Sequence, residues 1–192
     1  MLSRYVQARA ARLQMPPGEM TGEPRQIQLN SVTCCEGTKI ASAAGTLLTV
    51  PEQFVDWLRQ FHRAGINIHT HCDGDATIDL FLDAVEQSII EHPWLKHRHT
   101  VQRSQLTTSA QFRRMAKLGL CANIFAQSPL VMGEQHYELT VGPERANRMV
   151  ACATALREGV PFSLHSDANV TPLGQLHTMW CARKASHGGL AR

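Results

Sequence analysis

The sequence has no apolar run approaching the roughly 20 residues that cross a bilayer, so a membrane partner is not expected. No apolar stretch follows Met1-Leu2-Ser3-Arg4-Tyr5, which excludes a secretory signal reading of the start. Charge of one sign is scarce: the net charge is +3, the basic residues are scattered, and no nucleic-acid partner is expected. The six cysteines, at 34, 35, 72, 121, 152 and 181, lack zinc-ribbon spacing, and several lie inside apolar runs. They read as reduced thiols of a cytoplasmic protein, with the Cys34-Cys35 pair as ordinary side chains. No histidine precedes His62.

What is present is organised around residues 66–76, Ile-Asn-Ile-His-Thr-His-Cys-Asp-Gly-Asp-Ala. Ile66, Ile68 and Thr70 alternate with Asn67, His69 and His71, which is the period of a strand. Cys-Asp-Gly-Asp is a turn signal. Ile78, Phe81, Leu82, Val85 and Ile89 then recur at helical spacing. A strand, a polar loop and a helix, with imidazoles at the carboxyl end of the strand, is the layout of chemistry in parallel α/β folds.

The alternation extends along the chain. Ile27, Leu29 and Val32 can form a strand within 25–35. Pro51 suits the first turn of a helix carrying Phe54, Trp57, Leu58 and Phe61. Residues 98–103 read as a strand, and Thr107-Thr108-Ser109 caps a helix bearing Phe112, Met115 and Leu118 that stops at Gly119. Residues 120–125 read as a strand, 127–142 as a long loop, and 143–159 as a helix. Residues 160–165 read as a strand, followed by a helix with Leu176, Met179 and Trp180. The expectation is an α/β fold of parallel strands at 66–71, 99–103, 120–125 and 161–166, neighbours in that order with right-handed crossovers. The division expected is an irregular segment at 1–46, a body at 47–185 and a frayed tail at 186–192.

At the strand ends stand His71, Arg103 and Asp167, and Ser163, His165 and Asp167 share one face at period two. Imidazole and carboxylate at neighbouring strand ends suit a divalent ion that acidifies bound water. Histidine at a loop is as readily a hydrogen-bonded structural residue, which is the plain reading of His165. The plain reading of His69 is packing or support of a neighbour. His99 and His136 read as surface or pocket-lining. Asp75 reads as a helix cap, and Arg113 and Arg114 as a solvated face.

The segments HTHCDGDATIDLFLDAVE, RHTVQRSQLT, QHYELTVGPERANRM and LHSDANVTPLGQLHTMWCA resemble the amidohydrolase superfamily. They look most like its YtcJ-like branch, which includes N-substituted formamide deformylases. The resemblance runs from about residue 47 to 183. It implies the carboxyl-terminal part of a (β/α)8 barrel and a metal-dependent hydrolase of non-peptide C–N bonds in small amide- or formamide-type substrates. It places a metal ligand on His71, and a metal ligand and proton shuttle on Asp167, with zinc the expected ion. Tyr137 and His136 fall where substrate could be touched.

The departures are as informative. The family opens with a His-x-His strand that has no counterpart here. A family histidine matches Arg103, and a guanidinium stays charged and does not ligate metal. The family lysine falls near Thr33, or at Lys39 with a shifted register. Asn and His of the family stand as Gln127 and Ser128. An eight-unit barrel typically takes about 250 residues. The chain is therefore expected to be a fragment of weak or no activity by itself, completed by an amino-terminal fragment or a homo-oligomer. The alternative is a non-catalytic remnant or interaction module of the same fold.

Overall fold

The computed structural model describes residues 27–28 and 49–185. Five strands form one sheet: β1 (Ile27–Gln28), β2 (His69–Cys72), β3 (Thr100–Arg103), β4 (Cys121–Phe125) and β5 (Phe162–His165). Each pairs parallel with the next, in chain order. The sequence reading of four parallel neighbouring strands holds, with their bounds moved by one to three residues. The short β1 falls within the expected strand at 25–35. Thr33, Lys39, Cys34-Cys35 and the proposed tail lie outside the described residues.

The helices are α1 (Pro51–Arg63), α2 (Asp75–Glu91), α3 (Ser109–Leu118), α4 (Ser128–Gln135), α5 (Gly142–Ala146), α6 (Cys152–Arg157) and α7 (Gln175–Ala185). Pro51 opens α1, where a missing N–H has no intrahelical partner to lose. Its buried stripe is Phe54, Leu58 and His62, while Trp57 and Phe61 are half-buried. In α2 the buried face holds Ile78, Phe81, Leu82 and Val85. Burying each such side chain contributes about 1.5–3 kcal/mol. Thr108 closes a capping box with Gln111 at the start of α3, and Gly119 ends the helix at φ +75°, where a Cβ is disfavoured.

Three expectations are corrected. The stretch expected as a loop at 127–142 is mostly helical: α4 runs into a π-helical turn, His136–Thr140, and then α5. Pro129 and Pro143 each sit in a first helical turn, so the prolines start helices here. The helix expected over 143–159 is broken into α5 and α6 by residues 147–151, with Val150 at φ +56°. His99 is fully buried, because both ring nitrogens find partners in the interior.

The two faces of the sheet differ. Thr70, Cys72, Val101, Ala122 and Ile124 are buried toward the helical layer. The opposite face carries a polar row across four strands. The Ser163 hydroxyl donates to Asn123 Oδ1 at 3.1 Å, Asn123 Nδ2 to Gln102 Oε1 at 2.7 Å, and Gln102 Nε2 to His69 Nδ1 at 2.6 Å. The direction of these bonds leaves the His69 proton on Nε2. His69 thus supports a neighbouring amide, in keeping with its plain reading.

Candidate functional site

The carboxyl ends of β2, β3 and β5 converge on a charged group. Arg103 ends β3 with φ +68° and is followed by Ser104 at φ +50°, two left-handed residues that are not glycine. At period two Arg103 would follow Val101 toward the helices. The turn instead lays its guanidinium over the Phe125 ring, 5.3 Å from the centroid. One terminal nitrogen of Arg103 is ion-paired with Asp167. The other lies 3.8 Å from Asp73 Oδ2, and His71 Nε2 lies 3.5 Å from the same oxygen. His71, Asp73, Arg103 and Asp167 therefore form one connected group.

Asp167 also sits at φ +55°, after β5, and its carbonyl accepts the Val170 N–H at 2.8 Å. Strained backbone at both partners of an ion pair is a feature of sites that neighbouring structure holds in place. The nearby His165 stacks on Phe125 with centroids 5.4 Å apart. Its Nε2 is buried without a hydrogen-bond partner, which departs from the expected hydrogen-bonded loop histidine. Burial lowers the His165 pKa, with Asp167 opposing and Arg103 reinforcing the shift. Burial and Arg103 thus favour the neutral ring.

Asp73 was read from sequence only as part of a turn. It is an electrostatic centre of the group. Burial raises its pKa to about 6; Arg103 pulls it down and Asp167 pushes it up. One of its oxygens, Oδ1, is buried without a hydrogen-bond partner. The next residues of the loop serve structure. Ala76 N–H donates to Asp75 Oδ1 at 3.0 Å, although Gly74 is the cap residue, and the Asp75 carbonyl accepts from Gln111 Nε2 at 2.8 Å.

The other predicted residues lie on the π-turn. His136 Nδ1 is 2.8 Å from Thr140 Oγ1, and His136 Nε2 is 3.3 Å from Gln105 Nε2. Gln105 also donates to Ser128, which is fully buried, and Gln127 donates to Thr178 Oγ1 at 2.7 Å. Gln127 and Ser128 are thus committed to interior bonds. Tyr137 is partly exposed. The helix-face arginines are paired: Arg114 with Asp83 and Glu86, and Arg113 with Glu158.

A divalent ion at this group needs about three protein ligands and an open position. Among the described residues no three His, Cys, Asp or Glu side chains are arranged to hold one. The Asp167 carboxylate is engaged by a guanidinium, and a fixed positive charge repels a second cation. The residues present do not fit a metal. Those described form an ion-paired group in which the arginine is the cation.

Two solved structures share the fold. One is an uncharacterized metal-dependent hydrolase from Pyrococcus furiosus, with a TM-score of 0.59 and 18% identity. The other is an uncharacterized metal-dependent hydrolase from Pyrococcus horikoshii OT3, with a TM-score of 0.60 and 16% identity. The matches cover 82% and 83% of this chain, but the chain spans only 30% and 29% of those proteins. No curated protein matches the chain. The Amidohydrolase family model matches residues 9–186, nearly the full length, and the chain belongs to the amidohydrolase family.

Proposed function

We propose that this chain is the carboxyl-terminal part of an amidohydrolase barrel of the YtcJ-like branch, with little or no turnover by itself. The inherited reaction is hydrolysis of a non-peptide C–N bond in a small amide- or formamide-type molecule. The setting is cytoplasmic, and the ion in a complete site of this lineage is zinc. The observation that carries the reading is the Arg103–Asp167 ion pair. The guanidinium takes up one Asp167 oxygen and puts a fixed positive charge beside the carboxylate, which opposes a metal ion there. Asp167 and His71 are the residues through which the lineage would act; in this chain both belong to a group organised by Arg103. His136, which lies 3.3 Å from Gln105 just after β3, and its neighbour Tyr137 are the candidates for touching substrate.

A closed barrel of this type has eight strands, three more than the described sheet contains. Activity therefore needs further β/α units, from an amino-terminal fragment or from another copy. The alternative, a non-catalytic module of the same fold, is favoured by α7. Its Leu176 and Met179 are 82% and 59% exposed, an apolar surface suited to contact rather than to solvent.

The test is metal analysis of the purified chain after dialysis against zinc, alongside turnover of a panel of N-substituted formamides. The expected result is substoichiometric zinc and no turnover above background, with zinc retained by Arg103→His. Stoichiometric zinc with turnover in the unmodified chain, both lost in His71→Ala and Asp167→Ala, would overturn the reading.

A further inference from the structure

The imidazoles of His62, His97 and His99 lie away from the charged group, at the amino-terminal end of the sheet, and each is at most 1% exposed. Their hydrogen bonds fix where every proton sits. His97 Nδ1 accepts the His99 backbone N–H at 2.9 Å, so its Nε2 donates to the Leu118 carbonyl at 2.7 Å. His99 Nδ1 accepts the Ile68 N–H at 3.1 Å, so its Nε2 donates to His62 Nδ1 at 2.9 Å. His62 Nε2 then donates to the His92 carbonyl at 2.8 Å. All three rings are the same neutral tautomer, each with one donor and one acceptor in use. A proton added to any of them converts an accepting nitrogen into an N–H that faces another N–H.

These bonds tie helix ends and a turn to the paired starts of β2 and β3. They link α1 through His62, the turn after α2 through the His92 carbonyl, the entry to β2 through Ile68, and the end of α3 through Leu118. Trp94 closes the cluster edge-on, 5.5 Å from His62 and 5.6 Å from His99 between ring centroids. Among the described residues, no carboxylate acts on the rings. The titratable groups acting on the rings are one another, His92 from the turn after α2 and His69 from β2. The adjoining cleft, of about 510 Å³, adds Lys96, Arg98 and the Cys121 thiol of β4, and no carboxylate.

We propose that the His62–His99–His97 chain is an acid-sensitive latch: its neutral rings fasten α1 and the turn after α2 to the sheet, and because a proton on any of them would break these bonds, acid below neutral pH weakens the fold. Burial lowers the pKa of each ring, and for His99 to about 2, with the neighbouring imidazoles adding to the effect. The sign follows. An unfolded histidine takes its proton near pH 6.5, while the folded rings refuse it. The stabilisation is complete above about pH 6.5 and is lost progressively as pH falls below it. A ring that stays neutral raises the unfolding constant by up to about tenfold for each pH unit below 6.5; His99 holds that slope across the window, and His62 and His97 add to it in the same direction.

The experiment is urea unfolding of the full chain at steps between pH 7.5 and 5, for the wild type and for His62→Gln/His99→Gln. A glutamine carbonyl can accept and its amide can donate, so the variant can keep the bonds without the titration. The expected result is a loss in the wild type that is steeper than in the variant by one to about two protons, because His69, His136, His165 and Asp73 titrate in both proteins. Parallel slopes would overturn the proposal. If the variant fails to fold, proton NMR of the wild-type histidines decides. Three rings that remain neutral in the folded protein down to pH 5 support the latch, and a ring in this cluster titrating near 6.5 while the protein stays folded overturns it.

Discussion

Arg103 and Asp167, 64 residues apart in the chain, are ion-paired at the carboxyl edge of the sheet, each on a left-handed backbone turn. Asp73 sits 3.8 Å from the second guanidinium nitrogen, so one cation lies between two carboxylates. The guanidinium offsets one of the two negative charges, and the raised Asp73 pKa reflects the other.

Replacing Arg103 by methionine removes that cation and leaves Asp73 and Asp167 facing each other. Breaking a fully buried pair costs about 3–5 kcal/mol. Here the arginine and Asp167 side chains are 22% and 25% exposed, so about 2 kcal/mol is expected at pH 7.5. The deficit should narrow by pH 5, because loss of Arg103 removes the influence that holds the Asp73 pKa down. Urea midpoints of the two proteins at both pH values check this. An equal deficit at both would mean that packing against Phe125, rather than charge, dominates.

The strands and their order were legible because period-two and helical patterns alternate regularly, and parallel pairing of consecutive β/α units follows from short connections. Thr108 and Gly119 were legible for a similar reason, since capping is a local rule. The region after Gln127 was not. Its prolines and glycines signal breaks, and whether proline stops a helix or starts one depends on register. The site was half legible. His71, Arg103 and Asp167 could be picked out at strand ends, but the weight of Asp73 depends on burial and on two partners distant in sequence. His99 was misplaced on the surface because an imidazole flanked by Arg98 and Thr100 looks polar; only the folded chain supplies Ile68 and His62 to satisfy it.

The polar row on the open face makes a separate expectation. Asn123 both donates to Gln102 and accepts from Ser163. Asn123→Ala leaves the nearly buried Gln102 with an unfilled acceptor, a loss of about 1–2 kcal/mol. Ser163 is exposed and can turn to water, so Ser163→Ala should cost under about 0.5 kcal/mol. Thermal unfolding of both variants at pH 7.5 distinguishes the two positions. Equal losses would show that the row acts as one unit rather than through its buried member.

Asp73 carries the last expectation, and its sign is opposite to that of an ordinary salt-bridged carboxylate. The unfolded side chain loses its proton near pH 3.8 and the folded one near 6, mainly because of burial. Between those values the folded protein binds more protons, so stability falls as pH rises through the window and the whole penalty is present above 6. A shift of about two units corresponds to roughly 3 kcal/mol at most. Asparagine has no charge to bury, but it holds Arg103 and His71 more weakly. Asp73→Asn is therefore expected to gain about 1 kcal/mol at pH 7.5 and less at pH 5, where the folded carboxyl is mostly protonated. The histidine cluster titrates equally in both proteins and lies apart from this site, so its contribution cancels in the difference. Urea unfolding of the pair at the two pH values is the measurement. A variant less stable than the wild type at pH 7.5 would show that attraction to Arg103 outweighs burial of the carboxylate.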